Sequence, residues 1–257
     1  MSLLMLMAGG IISFLVILID WRKSLKSVGP VDAKSIVHRV LRVVVRGSGF
    51  SCVVDAGDGA RYVMKLSGAG QGAHGLFHEL IATRIARELG LRVPDVKPLW
   101  LETSTPWQVG TDEFDDALQR SVGWNLGIQL IDPAVDLASN DLDDLSDDFI
   151  EALAYVDAVL VNVDRTAKNP NLLCDARGEV LAIDFGACLY WSRRAGDAAK
   201  DMIAVSSSHF LADRGLRFHR PRFKSEVVDA LFADVPADWL EQFSGVLADV
   251  RRYFVQD

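Results

Sequence analysis

Two carboxylates and one carboxamide stand at a spacing that suits phosphoryl transfer. Asp164 precedes Asn169 by five residues, and Asp184 follows Asn169 by fifteen, after an apolar run. Phosphoryl transfer needs one carboxylate to orient the attacking hydroxyl, together with oxygen donors that hold Mg²⁺ on the nucleotide phosphates. The pattern therefore predicts a nucleotide site that contains all three side chains.

The residues between Asn169 and Asp184 predict a β-hairpin. We expect residues 172–173 in one strand, a turn over residues 175–178, and residues 180–183 in the returning strand. Such a hairpin would bring Asp184 back beside Asn169. Each motif alone has a simpler interpretation, as a loop with Asx caps or as a strand end with a glycine turn. Their order and the hairpin favour a kinase.

The chain upstream predicts the elements that must position this site. Its hydrophobic and turn pattern indicates three strands, a helix and a further strand. These lie at residues 40–45, 51–54, 61–65, 73–89 and 96–101. Pro98 cannot donate to a ladder, so the last strand is predicted at a sheet edge.

Two charged residues on these elements extend the candidate site. Lys65 ends the third predicted strand and can reach nucleotide phosphates, while Glu79 on the helix can hold that lysine by an ion pair. Either residue alone would more simply be a solvated surface charge. Their order before Asp164, Asn169 and Asp184 favours the functional interpretation.

Two glycine-rich segments are alternative phosphate-binding sites. Residues 47–49 lie between the first two strands, where a kinase lid would lie, and residues 67–72 open onto the helix. Backbone N–H groups beside the positive end of a helix bind anions, although ordinary turns remain the alternative for both segments. The second segment is preferred because one turn does not explain its composition. Its candidate nucleotide-binding residues are Gly68, Gly70, Gln71 and Gly72.

Composition sets the class of protein. A chain of 257 residues with 50% hydrophobic and 24% charged residues can bury one large or two small cores. The net charge of −8 disfavours nucleic acid as a partner. The three cysteines include no C-x-x-C pair, which favours a reduced, cytosolic compartment, and the histidines form no zinc-binding pattern.

The N-terminus predicts a membrane anchor. Residues 3–19 are uncharged and almost wholly apolar, at the short limit of the roughly 17–25 residues that a spanning helix needs. Trp21, Arg22 and Lys23 follow, as expected on the cytoplasmic side. A cleaved signal peptide fits poorly. We therefore expect an anchor helix within residues 1–23 at the inner face of the cytoplasmic membrane; the alternative is a start codon placed too far upstream.

The rest of the chain predicts a second, mostly helical lobe. After Leu101 the chain is acidic and expected to be irregular, in a stretch that includes residues 111–113 and 115–116. Residues 127–131 predict a strand that leads into the second lobe. The boundaries expected are 35–128 for the N-lobe and 129–257 for the C-lobe. Helices are predicted at residues 149–161, 198–210, 223–232 and 238–254.

With these residues in place, the chain resembles the HipA-like kinases over roughly residues 41–253, in particular a compact bacterial branch without the extra N-terminal domain of the toxin. The segments that carry the resemblance are residues 61–65, 68–72, 89–91, 125–127, 162–173 and 183–187, together with the helix that bears Glu79. The resemblance implies an α+β, two-lobed protein-kinase-like fold. Its small N-lobe would pair an antiparallel sheet with one helix, in addition to the apolar N-terminal helix.

The same resemblance implies the cofactors and the roles. It implies ATP with Mg²⁺ and transfer of the γ-phosphoryl group to a Ser or Thr hydroxyl of a protein substrate. By position, Asp164 would be the catalytic base, Asn169 and Asp184 the metal ligands, and Lys65 a phosphate contact. Asn171 is an alternative to Asn169.

Two other functions fit the same residues. Asp164 with Asn169, followed by Asp184, also resembles the site of phosphatidylinositol kinases, and a membrane anchor would place such an enzyme near lipid. A non-catalytic, nucleotide-binding scaffold with this fold is the third interpretation. The presence of all the expected groups argues against the scaffold.

Overall fold

The computed structural model describes residues 31–44, 50–108, 110–189 and 202–255. Residues 3–19, predicted as an anchor, and the glycine segment 47–49 lie outside the described residues. Within the described part of the chain, no helix combines the length and apolar character needed to cross a bilayer.

A five-stranded antiparallel sheet forms the N-terminal part of the fold. Its strands, in the spatial order β1-β2-β3-β5-β4, confirm the predicted strands and the edge position of the strand with Pro98. Their bounds are β1 Val37–Val44, β2 Ser51–Ala56, β3 Arg61–Lys65, β4 Val96–Leu101 and β5 Gly123–Gln129.

The alternation along β3 explains where Lys65 lies. Tyr62 and Met64 are buried in a cluster on one face of the sheet, together with Phe114 and Leu118. Because successive side chains of a strand point to opposite faces, Lys65 leaves the sheet on the other face. That face is covered by the helix that carries Glu79.

This helix, α1, spans Gly72–Glu88 and confirms the predicted helix. Most of its side chains are buried, because it packs against β4 and β5 of the sheet and contacts the C-terminal helical region through Phe77. Gly90, with φ of 86°, follows its end, where a left-handed residue suits glycine.

A second N-terminal helix, α2, spans Asp112–Gln119, so the prediction of irregular structure there was wrong. The Thr111 hydroxyl accepts a hydrogen bond from the Phe114 N–H at 3.4 Å and caps the helix. The acidic residues that suggested a loop lie in the first turn, where the helix dipole favours negative charge.

The second part of the fold combines a small sheet with helices. Leu172 pairs with Ala182, which confirms the predicted hairpin. The sheet, in the order β6-β7-β8, consists of β6 Ala134–Asp136, β7 Leu172–Asp175 and β8 Val180–Ala182. The helices are α3 Asp147–Leu160, α4 Ser225–Leu231, α5 Ala237–Gln242 and α6 Ser244–Phe254.

Two helix predictions in this part need correction. Residues 202–210, the described end of the predicted 198–210 helix, begin with the short strand β9, Met202–Ile203, which pairs with β10, Phe218–His219. The Ser206 hydroxyl and carbonyl then accept the N–H groups of the next residues in a turn, which competes with a helix. The predicted 238–254 helix is interrupted at Phe243, where φ is −114° and ψ is 27°.

Candidate active site

Lys65 lies between two carboxylates. Its Nζ atom is 2.7 Å from both Oε atoms of Glu79 and 2.9 Å from Oδ1 of Asp184. The Glu79 side chain is only 3% exposed, whereas that of Lys65 is 25% exposed. The buried glutamate therefore fixes the lysine from behind, and the ammonium group reaches Asp184, two residues after the end of β8.

The charges of these three groups depend on one another. Burial lowers the pKa of Lys65, but the Glu79 and Asp184 carboxylates outweigh it and raise that pKa overall. Burial raises the pKa of Glu79 to about 7; Lys65 opposes this shift and Asp184 adds to it. Burial also acts against ionised Asp184, but the Lys65 ammonium outweighs it, and the pKa of Asp184 is lowered. Asp184 is thus the carboxylate that stays ionised most readily.

The backbone at Asp184 is left-handed, with φ of 59°. Just before it, the Ile183 N–H donates to the Asn171 carbonyl at 2.9 Å, so the hairpin returns the chain to the loop that carries Asp164. Phe185, directly after it, is fully buried, and its ring centroid lies 5.0 Å from the Arg165 guanidinium. Sparsely populated backbone conformations of this kind are held by their surroundings and are frequent at active sites.

Asp164 and Asn169 contact each other directly. Asn169 Nδ2 donates to Asp164 Oδ2 at 2.9 Å, and Asn171 Nδ2 approaches the same oxygen at 3.4 Å. Thr166 and Asn169 exchange two backbone hydrogen bonds, a tight turn that brings Asn169 back to Asp164. Because the Asn169 amide nitrogen faces Asp164, its carboxamide oxygen is directed elsewhere and can serve a cation.

The glycine-rich segment after Lys65 is fastened to its neighbours. Asn125 Oδ1 accepts the Ser67 N–H at 2.8 Å, and Ser121 Oγ accepts the Gly68 N–H at the same distance. The Gly72 N–H donates within the segment to Ala69 at 3.0 Å. These amides are therefore already bonded inside the protein.

Unlike residues 67 and 68, the part of this segment next to α1 is exposed to solvent. Gly70 and Gln71 are exposed, directly before α1, and Gly70 has φ of 56°. Gly72 also has a positive φ, of 66°. Backbone groups at the start of a helix suit anions. Of the four candidates in this segment, Gly70 and Gln71 are the two exposed residues.

Sequence reasoning missed a buried polar network below Asp164. It joins Asp157 of α3 to Asn162, Arg165 and His209, all of them buried. One signal was present in the sequence: Asp157 is the only charged residue between Glu151 and Asp164, in an otherwise apolar stretch. A charge in such a place requires a partner, and Arg165 is the partner.

Comparison with known proteins places the chain in a family. A family model described as HipA-like kinase matches residues 37–253. No curated protein matches the chain. Among solved structures, the proinflammatory kinase CtkA of Helicobacter pylori is similar over 84% of this chain and 92% of that chain, with 13% sequence identity and a TM-score of 0.49. Since the family match covers most of the chain, including both halves of the candidate site, this protein belongs to the HipA-like kinase family.

Proposed function

We propose that this kinase uses ATP and Mg²⁺ to phosphorylate a Ser or Thr hydroxyl of a protein substrate. The observation that carries the proposal is the position of Lys65 between Glu79 and Asp184, at 2.7 and 2.9 Å. In phosphoryl-transfer enzymes of the protein-kinase type, a strand lysine must be paired with a helix glutamate while an aspartate holds the metal. The same three residue types meet here.

The side chains fit Mg²⁺. Asp184 offers carboxylate oxygens and Asn169 a carboxamide oxygen, the hard donors that Mg²⁺ binds together with substrate phosphates. The Asn169 amide nitrogen is engaged by Asp164, so the orientation that leaves its oxygen for a cation is the one its hydrogen bond selects. Mg²⁺, when bound, supplies positive charge to the phosphate oxygens.

Asp164 has the geometry of a base. Its Oδ2 atom accepts from Asn169 and Asn171, and no described residue donates to Oδ1. We assign Oδ1 as the atom that accepts the proton of the substrate hydroxyl. This proton passes to Asp164 as the hydroxyl oxygen bonds to the γ-phosphorus and the bond from the γ-phosphorus to ADP breaks. Lys65 supports the phosphates during this step by charge and position.

The test uses the purified full chain with ATP, Mg²⁺ and a cell lysate, followed by mass-spectrometric location of new phosphate groups. We expect phosphoserine or phosphothreonine on protein. Asp164→Ala and Asp184→Ala should each lose about 10²–10³-fold in rate while remaining folded, as is typical when a group that stabilises transition-state charge is removed. Asp148→Ala, at an exposed position of α3, is the matched control.

Each alternative has its own outcome. Phosphate incorporated only into extracted lipid would identify a lipid kinase instead. Binding of ATP and Mg²⁺ with no transfer, even to the chain itself, would identify a scaffold. Unchanged turnover in both active-site variants would reject the assigned residues.

A further inference from the structure

Asp157 is a buried carboxylate that binds three donors from three segments. Its Oδ2 atom accepts from Arg165 Nε at 2.5 Å and from His209 Nε2 at 2.9 Å, and its Oδ1 atom accepts from Asn162 Nδ2 at 2.9 Å. The side chains of Asp157, Arg165 and His209 are all 0% exposed. No water is needed to satisfy this carboxylate.

Two of these donors reach the loop that contains Asp164, one from each side. Asn162 uses its Oδ1 atom to accept the Asp164 N–H at 3.1 Å. Arg165 uses Nη1 to donate to the carbonyls of Pro170 at 2.7 Å and Asn171 at 2.9 Å. Both ends of the 162–171 loop are therefore tied to Asp157.

The third donor comes from beyond Asp184. His209 Nδ1 accepts the Leu211 N–H at 3.0 Å, so the proton of a neutral imidazole is on Nε2 and is donated to Asp157. His209 follows a turn in which the Ser208 hydroxyl donates to the Val163 carbonyl at 3.3 Å. The 202–211 segment thus contacts the Asp164 loop at Val163 and helix α3 at Asp157.

We propose that Asp157 is a positioning residue for phosphoryl transfer, and that His209 couples the 202–211 segment to it. Asp157 touches no reacting atom; it sets the Asp164 backbone through Asn162 and the carbonyls at residues 170–171 through Arg165. The kinetic part of this proposal rests on the function proposed above, whereas the loop-ordering part does not.

A purely structural ion pair and a positioning one predict different results. Losing a structural pair lowers stability alone. Losing a positioning pair also lowers kcat in protein that remains folded, because a displacement of about 1 Å at the reacting groups can cost about 10²-fold in rate. ATP affinity should change little, since Lys65 and Glu79 lie outside this network.

The first experiment replaces His209. In His209→Leu the donor to Asp157 is lost at similar volume, and we expect kcat to fall at least about tenfold with the KM for ATP within about twofold of wild type. His209→Gln keeps an N–H donor and should recover most of the rate. If His209→Leu retains wild-type kcat, or if the KM for ATP rises while kcat holds, the coupling through His209 is wrong.

The second experiment replaces the buried pair by apolar residues, Asp157→Leu with Arg165→Met. Such replacements often leave a protein folded and as stable as before. We expect a cooperative thermal transition, kcat lower by about 10²-fold, and faster hydrogen exchange over residues 162–171. The exposed pair Asp229 and Arg251, replaced by Leu and Met, is the matched control and should change neither rate nor exchange.

Hydrogen exchange also separates the two proposals. If the wild-type chain transfers no phosphate, the proposed function fails, but exchange over residues 162–171 still reports whether Asp157 orders the loop. The Asp164 amide of the wild-type protein should exchange slowly. An Asp164 amide that exchanges as freely as an open loop, or a folded double variant with wild-type exchange and kcat, would overturn the positioning role.

Discussion

Lys65 and Asp184 are separated by 119 residues in the chain, yet Lys65 Nζ lies 2.9 Å from Asp184 Oδ1. The contact joins β3 of the five-stranded sheet to the segment that follows β8 of the three-stranded sheet. Glu79 holds the same ammonium at 2.7 Å. Two carboxylates thus share one cation. A change in the charge of any one of the three groups therefore changes the pKa values of the other two.

The shared ammonium predicts that activity rises with pH near neutrality. The pKa of Glu79 is raised to about 7, mainly by burial, so below this pH the glutamate is protonated and holds Lys65 less firmly. We expect kcat/KM for ATP to increase between about pH 6 and pH 8. Glu79→Gln should be slower and lack this acid limb. A wild-type profile that is flat over the same range would contradict the prediction.

The Glu79 carboxyl also predicts that the free energy of unfolding falls as pH rises, opposite to the trend in activity. A folded-state pKa above the ordinary 4.5 means that the native chain binds more protons at Glu79 than the unfolded chain does. Its contribution to stability is full below about pH 4.5 and is lost as pH rises through about 7. The difference in the free energy of unfolding between wild type and Glu79→Gln should follow this window in urea titrations. A difference that does not vary with pH would be inconsistent with a buried, raised carboxyl.

The two asparagines near Asp164 predict separate defects. Asn169 Nδ2 is 2.9 Å from Asp164, against 3.4 Å for Asn171, and Asn171 has a left-handed backbone with φ of 51°. We expect Asn169→Ala to raise the Mg²⁺ concentration for half-maximal activity and to lower kcat by about 10²-fold. Asn171→Ala should mainly lower the free energy of unfolding, by about 1–2 kcal/mol, because alanine resists this conformation.

A glycine at residue 171 separates backbone from metal effects. Asn171→Gly keeps the left-handed conformation without a side chain, so its Mg²⁺ requirement should match wild type if Asn169 is the ligand. A larger Mg²⁺ requirement for Asn171→Gly than for Asn169→Ala would mean that Asn171, and not Asn169, is the metal ligand. Thermal unfolding of all three variants shows which losses are structural.

The sequence predicted most of what places Lys65 and Glu79, because both lie on elements with clear periodicity. Alternation identified β3, the apolar pattern identified α1, and the turn at residues 175–178 identified the hairpin before Asp184. These are local signals within one element or between neighbours. The pairing of Lys65 with Glu79 followed from residue order, whereas the contact of Lys65 with Asp184 was not predicted.

What the sequence did not predict depends on distant contacts or on competing local signals. The Asp157–His209 bond joins residues 52 apart in the chain, and only the folded chain shows that one carboxylate serves three donors. Helix α2 was missed because its acidic first turn has the composition of a loop. The serine turn before His209 was missed because the segment was predicted as a helix, whereas the hydroxyl groups of Ser206 and Ser208 bond to backbone groups instead.

Replacement of Gly68 by a larger residue should cause a packing defect rather than a loss of phosphate binding. A Cβ atom at residue 68 would lie 2.7 Å from the Ala117 carbonyl oxygen, so the glycine segment and α2 cannot both keep their places. We expect Gly68→Ala to lower the free energy of unfolding by about 1–3 kcal/mol. Gly245→Ala, where a Cβ meets nothing within 4 Å in α6, should instead be neutral or stabilising by up to about 1 kcal/mol. Equal stabilities of the two variants in urea would contradict the close contact.

The three cysteines predict a single reactive thiol in the native protein. Burial raises the pKa of Cys52 to about 12 and that of Cys188 well above its usual value, and the thiolate is the form that attacks disulfides. Cys174 on β7 is only partly buried.

Ellman's reagent should therefore modify one thiol rapidly, and Cys174→Ser should abolish that fast phase while Cys52→Ser leaves it intact. Cys52 and Cys188 should react only as the chain unfolds, so their rates in increasing urea measure the opening of the two buried clusters that contain them. A fast phase of two or three thiols in the absence of denaturant would mean that this core is not closed as described.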